Sequence, residues 1–206
     1  MNAVPATATA NVREKILATG QRIMGGKGFS AVGLNEVLAA AGVPKGSFYH
    51  YFGSKDAFGE ALLEGYFEAY VADMERIFRQ PGKTKAAQIE DYFAAWQDNQ
   101  SFEDCQGKCL AVKLGAEVAD LSDSMRSALD RGTAAIIAGM AAAIEAGQAE
   151  GSLPVQDDAK ALAQSLYQLW LGASIMVKIV RTPQPFDNAL RTTRHLLGLP
   201  ANTAVP

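Results

Sequence analysis

Two cysteines, Cys105 and Cys109, fall four residues apart in the stretch DCQGKCLAVKLGAEVADLS, close to Lys108 and Lys113. That spacing admits five roles: packed filler, a disulfide, half of a metal site, a nucleophile or a sensor. A structural zinc needs about four ligands. The two histidines, His50 and His195, belong to other segments, so no metal is expected. Neither is placed as the base of a catalytic thiol, and neither a catalytic residue nor a cofactor is expected. A disulfide between residues so close requires a helix that starts late, because its geometry is narrow. If 106–118 is helical, Cys109 lies in the first turn. Thiols at helix N-termini or beside lysine are favoured as thiolate, the reactive form. A free cysteine is also a small hydrophobe suited to burial. Spacing alone leaves both of these roles open.

A second group with chemical capacity sits in VPKGSFYHYFGSK. Lys45 suits a guanine edge or a phosphate. Ser47, Tyr49 and Tyr51 suit phosphate oxygens, and His50 can serve either. Gly46 lets another backbone come close. Lys55 opens the next helical run, where free N–H groups and a positive charge together favour an anion. An ordinary pair of helices with an aromatic core shares this spacing, and Phe48 and Phe52 are expected inward in both cases.

The elements that position these groups are all helical. LNEVLAAAGV and PKGSFYHYFG form two short helices separated by a tight turn at Gly42, the geometry of a helix-turn-helix. NVREKILATGQRIM precedes them, with Ile16 and Leu17 at helical spacing, and GGKG stops it. SKDAF opens a long amphipathic helix with a serine cap. Five more helical runs follow. The fold class expected is all-α, a three-helix N-terminal helix-turn-helix domain ahead of a helical bundle. No apolar run reaches the length of a membrane span. MNAVPATATANVR lacks the build of a secretory signal and reads as a disordered lead-in. Two cysteines in 206 residues make no disulfide framework, so a reducing cytoplasm is expected. Residues 1–60 carry six Lys/Arg against four Asp/Glu, and the remainder 13 against 18. A mildly basic head on an acidic body suits a module that meets phosphate.

AAGVPKGSFYHYFGSKDAF closely resembles the signature of TetR-family repressors. An Ala-Gly-Val turn precedes Lys-Gly-x-x-Tyr-x-x-Phe and then a Ser-Lys-x-x-Phe helix start, within a match from Ile16 to Leu63. The resemblance implies a DNA-binding domain at 12–53 and a regulatory and dimerisation domain at 54–199. It implies a homodimer formed through helices near 122–149 and 157–180, and double-stranded operator DNA as partner. Many members carry threonine where Gly33 stands here, so its phosphate contact passes to Asn35 or to backbone N–H.

GKCLAVKLGAEVADLSDSMRSALDRG and LYQLWLGASIMVKIVR are similar to the NemR-type branch, whose repressors sense electrophiles and oxidants. For that branch the resemblance implies Cys109 as sensor and Lys178 as its reversible partner on oxidation. A small electrophile or oxidant is then the inducer. Cys105 departs from the branch, as a resolving thiol or an incidental one. Lys178 also has a structural reading, with its ammonium reaching water near a helix end. Tyr92, Trp96, Tyr167 and Trp170 are candidate walls of a ligand pocket or ordinary core, and Leu110 and Lys113 are candidate pocket residues with them. A neutral ligand held there is the alternative route to induction, with Cys109 merely packed.

Overall fold

A computed structural model describes the backbone of residues 6–99 and 109–200 and the side chains among them from residue 12 onward. Cys105 lies outside the described residues. Among these, nine α-helices and no strand occur: α1 (Ala6–Lys27), α2 (Leu34–Ala41), α3 (Lys45–Tyr51), α4 (Lys55–Phe78), α5 (Lys85–Asn99), α6 (Leu110–Leu121), α7 (Asp123–Ala149), α8 (Ala159–Val180) and α9 (Gln184–Leu196).

Two helix starts differ from the expectation. Helix α1 begins at Ala6, inside the segment read as a disordered lead-in. Its ATATA opening holds no breaker, and alanine has the highest helix propensity of any residue. Helix α6 begins at Leu110, so Cys109 is its N-cap residue and does not lie within the first turn. Cys109 makes no side-chain cap bond, and the helix starts where the apolar periodicity does.

Contacts divide the chain into two units. The first holds residues up to Glu68 with the described part of Gln106–Gly132; the second holds Ala69 to residue 99 and Thr133 onward. In the first, Ile16 and Met24 of α1 are buried with Val37, Leu38 and Ala41 of α2. Leu34 is half-exposed. The rings of Phe48, Phe52 and Phe58 complete this core, with centroids 5.1–5.6 Å apart. Helix α7 enters the unit at close range, because a Cβ on Gly132 would overlap the Phe67 ring. Arg131 ties the same stretch to Glu64 of α4 at 2.8 Å.

The second unit is built on aromatic rings. Trp170 is fully buried. It stacks on Phe93 at 4.6 Å and on Phe186 at 5.7 Å. Its indole N–H donates to Thr193 Oγ1 at 2.8 Å. The Trp96 indole donates to Ser174 Oγ at 2.9 Å, and that hydroxyl donates to the Trp170 carbonyl at 2.8 Å. Buried polar atoms are thereby paired, as an apolar interior requires. On α8, Ile175, Met176, Ile179 and Val180 are 43–66% exposed, and their spacing places them on one side of the helix. No helix among the described residues is long and apolar enough to cross a membrane.

At the start of α5, free N–H groups meet the loop after α7. Lys85 N–H donates to Glu150 Oε1 at 2.5 Å and Ala86 N–H to Ser152 Oγ at 3.2 Å. Hydrogen bonds from the Ser152 hydroxyl and the Lys85 amide, helped by the Lys85 charge, hold the Glu150 carboxyl below its ordinary value. A depressed carboxylate stabilises the fold fully above its unfolded value and progressively less as pH falls through the folded one, because the unfolded chain takes up the proton first. Glu150→Gln is therefore expected to unfold at lower urea than wild type at neutral pH, and to lose less on acidification below 4.5, the group's ordinary value. Urea midpoints at the two pH values check this, and equal acid losses would contradict it.

Candidate nucleic-acid interface and thiol site

The α2–α3 geometry follows from three residues. Gly42 adopts φ 63, ψ 37, and its N–H caps the carbonyls of Leu38 and Ala39. That left-handed conformation ends a helix at least cost when no Cβ is present. Pro44, at φ −61 and ψ 145, is the N-cap of α3. Ser47 N–H returns to the Pro44 carbonyl at 3.0 Å. After α3, the Ser54 hydroxyl accepts from Ala57 N–H at 3.0 Å and starts α4.

Helix α3 then has two faces. Phe48 points inward, and Phe52 just after the helix does the same. Lys45, Gly46 and His50 are exposed, Tyr49 is 55% exposed, and Ser47 and Tyr51 are half-buried. An exposed tyrosine beside a lysine and a histidine on a short helix offers hydrogen-bond donors together with a ring face, which suits base edges and phosphates. Arg13 of α1 lies over the Phe52 ring at 5.5 Å. At the start of α2, Gly33 is the N-cap with φ −80 and ψ 147 and no side-chain cap, and Asn35 is exposed.

Lys55 is half-buried. Its ammonium donates to the Phe29 carbonyl at 2.9 Å and lies 4.6 Å from the centre of the Phe29 ring. The same turn, between α1 and α2, is held by a residue that pattern reading passed over. Glu117 of α6 accepts from Phe29 N–H at 3.0 Å and from Ser30 N–H at 2.7 Å. Burial pushes its carboxyl up. Hydrogen bonds from the Ser30 hydroxyl and from both amides, with the Lys55 charge, outweigh that and leave it below its ordinary value. A lone glutamate on an amphipathic helix reads as solvated, and its partners stand 87 and 88 residues away in sequence. No local signal marks it.

Cys109 is a free, buried thiol, 5% exposed. Its carbonyl accepts the first α6 bond, from Lys113 N–H at 3.0 Å. Leu110 beside it is fully buried and Lys113 is half-buried. These three belong to the first unit. Lys178 belongs to the second, half-buried in the last turn of α8, where a cation suits the helix end. Four of the candidate pocket residues come together there: Tyr92, Trp96, Tyr167 and Trp170 are buried, with Trp96 5.8 Å from Tyr167 and 6.1 Å from Trp170 between ring centres. No group of three or more metal-ligating side chains occurs among the described residues.

Residues 16–62 match the family described as bacterial regulatory proteins, tetR family, and residues 86–193 match that described as tetracyclin repressor-like, C-terminal domain. The chain is 41% identical to the HTH-type transcriptional repressor NemR of Escherichia coli over 195 residues, covering 93% of this chain and 96% of that protein. It is 31% identical to the transcriptional regulator AcuR of Cereibacter sphaeroides, over 87% of this chain and 82% of that one. The crystal structure of reduced E. coli NemR superposes with a TM-score of 0.85 at 41% identity, covering 95% of this chain and all of that one.

Proposed function

The chain belongs to the TetR family of bacterial regulatory proteins, and we propose that it is a homodimeric repressor released from operator DNA when an electrophile or oxidant modifies Cys109. One observation carries the DNA-binding part. Helix α3 buries Phe48 and leaves Lys45, Gly46, Tyr49 and His50 outward on one face. That helix, at the end of a head spanning 12–53, enters the major groove. Ser47, Tyr51, Asn35 and the Gly33 backbone add phosphate contacts. Lys55 contributes charge at the base of the head.

The body, 54–199, supplies dimerisation and sensing. The exposed apolar residues of α8 give a second copy something to cover, and pairing of α7 and α8 across a two-fold axis presents two heads to a near-palindromic site. Cys109 is the reacting group. An electrophilic alkene adds to the sulfur, with the thiol proton passing to the adjacent carbon. Hypochlorite takes two electrons from the sulfur and hands over its oxygen, leaving a sulfenic acid and chloride. Condensation of that acid with the Lys178 amine makes a sulfur–nitrogen bond and releases water, and a cellular thiol reverses it. Leu110 and Lys113, beside Cys109 on the chain, are the neighbours against which the modified side chain repacks. A protein of this kind works in the cytoplasm, where its DNA is.

The test is binding to a duplex selected by the protein from a random pool. Affinity should fall about 10³–10⁵-fold between roughly 50 mM and 200 mM salt if several phosphates are contacted. Lys45→Ala should weaken specific binding by about 1–3 kcal/mol, roughly 5- to 150-fold. Binding indifferent to both salt and Lys45 would rule out this face.

A further inference from the structure

We infer that Glu117 is the positioning residue that sets the orientation of the DNA-binding head on α6, by clamping the turn between α1 and α2. The inference rests on the repressor reading above and adds a residue to it. A single carboxylate bonds two consecutive amides, Phe29 through Oε2 at 3.0 Å and Ser30 through Oε1 at 2.7 Å. One hydrogen bond is a pivot, whereas two to adjacent peptides fix the plane of the carboxylate against the turn. Bonds to an ionised acceptor are also roughly twice as strong as neutral ones.

Two further features act on the same turn. Lys55 takes the Phe29 carbonyl at 2.9 Å and covers its ring, so Phe29 is held at its N–H, its carbonyl and its side chain. Gly28 adopts φ 98, and a Cβ there would stand 3.1 Å from Glu117 Oε2. The carboxylate thus approaches over a residue without a side chain. Burial of Glu117 opposes its charge, and the bonds it receives more than restore it.

The placement matters because of what lies on either side. Glu117 is eight residues along the chain from Cys109, about two helical turns and 12 Å at 1.5 Å per residue. The clamped turn leads directly into Gly33 and α2. A shift of α6 started at its N-terminus is carried to the head and is not absorbed by slack in the turn. In a dimer, the angle of each head on its α6 sets the separation of the two α3 helices.

A residue that merely stabilises the folded head and one that orients it differ in a measurable way. A linked pair of heads gains from its second contact only when both can engage at once. Two duplexes are used: one selected by the wild-type protein from a random pool, and the same duplex with one half-site scrambled. For Glu117→Ala, affinity for the intact duplex should fall about tenfold or more, while affinity for the single half-site changes less than about twofold. Insertion of one base pair between half-sites should cost the variant less than it costs wild type. Glu117→Gln keeps the size but faces an amide N–H₂ toward one of the donors, and should move the same ratio by less. Should the alanine variant not fold, the glutamine variant decides alone. Hydrogen exchange should speed up at the Phe29 and Ser30 amides and stay slow at Phe52, whose N–H is bonded to the Phe48 carbonyl at 2.8 Å. Equal weakening on both duplexes, or an unchanged ratio, overturns the clamp while the repressor reading stands. Wild-type protein with no sequence preference overturns that reading and the clamp with it.

Discussion

Cys109→Ser is expected to bind operator DNA as wild type does and to stay bound after N-ethylmaleimide or hypochlorite, while the wild-type protein lets go. The thiol is buried beside fully buried Leu110, at the start of a helix with no side-chain cap. A maleimide adduct there adds a ring where a sulfur was packed. Overfilling a tight interior costs about 1–3 kcal/mol, and each 1.4 kcal/mol is about tenfold in affinity. A modified body that no longer fits the DNA-bound packing should therefore lose roughly 5- to 150-fold of its affinity. Serine keeps the size and removes the nucleophile, so packing is nearly unchanged. Cys105→Ser, measured alongside, should retain the response. Titration of labelled duplex by anisotropy reads all three proteins. Equal release of the serine variant and wild type would sink the thiol mechanism and favour a ligand held without a covalent bond. Lys178→Ala refines the oxidant arm: release by maleimide should persist, and recovery after hypochlorite should change.

The other large effect concerns stability. Trp170→Ala should lower unfolding free energy by about 3–5 kcal/mol, the usual cost of deleting a buried large aromatic. Trp170 stands between Phe93 and Phe186 in a stack and is fully out of water. Trp170→Phe keeps most of the ring contact and drops the bond to Thr193. The Thr193 hydroxyl still donates to the Ala189 carbonyl at 2.8 Å, so no buried donor is left alone. That variant should lose only about 1 kcal/mol from the hydrogen bond, plus a smaller packing term. Urea unfolding followed by far-ultraviolet circular dichroism separates the two. Equal midpoints for the alanine and phenylalanine variants would show that the stack contributes little.

The head was legible because its geometry is written in residues that act on their own backbone. Gly42 ends α2 by adopting a left-handed conformation, and Ser54 caps α4 through its hydroxyl. Such effects span a few residues, so a pattern of types and spacings carries them. The thiol site was half legible. The residue pattern places the start of α6 before Cys109, whereas the helix begins at Leu110. No cap residue marks the boundary, and a run such as GKCLAV can begin a helix at several points. Glu117 was not legible. Its role depends on amides 87 and 88 residues away, which no local rule reaches. The same holds for Trp96 and Ser174, partners across 78 positions. Each looks like ordinary core until the helices are placed together.

Both tryptophans of the chain, Trp96 and Trp170, lie in the second unit, with each indole N–H bonded to a buried hydroxyl. The first unit, with the whole α3 face, contributes only phenylalanine and tyrosine rings to the optical spectrum. Emission excited at the red edge of the indole band is therefore a private channel to the body. A change in that emission when DNA is added to the free protein reports an event that began in the head and arrived elsewhere in the molecule. No label needs to be attached to observe it.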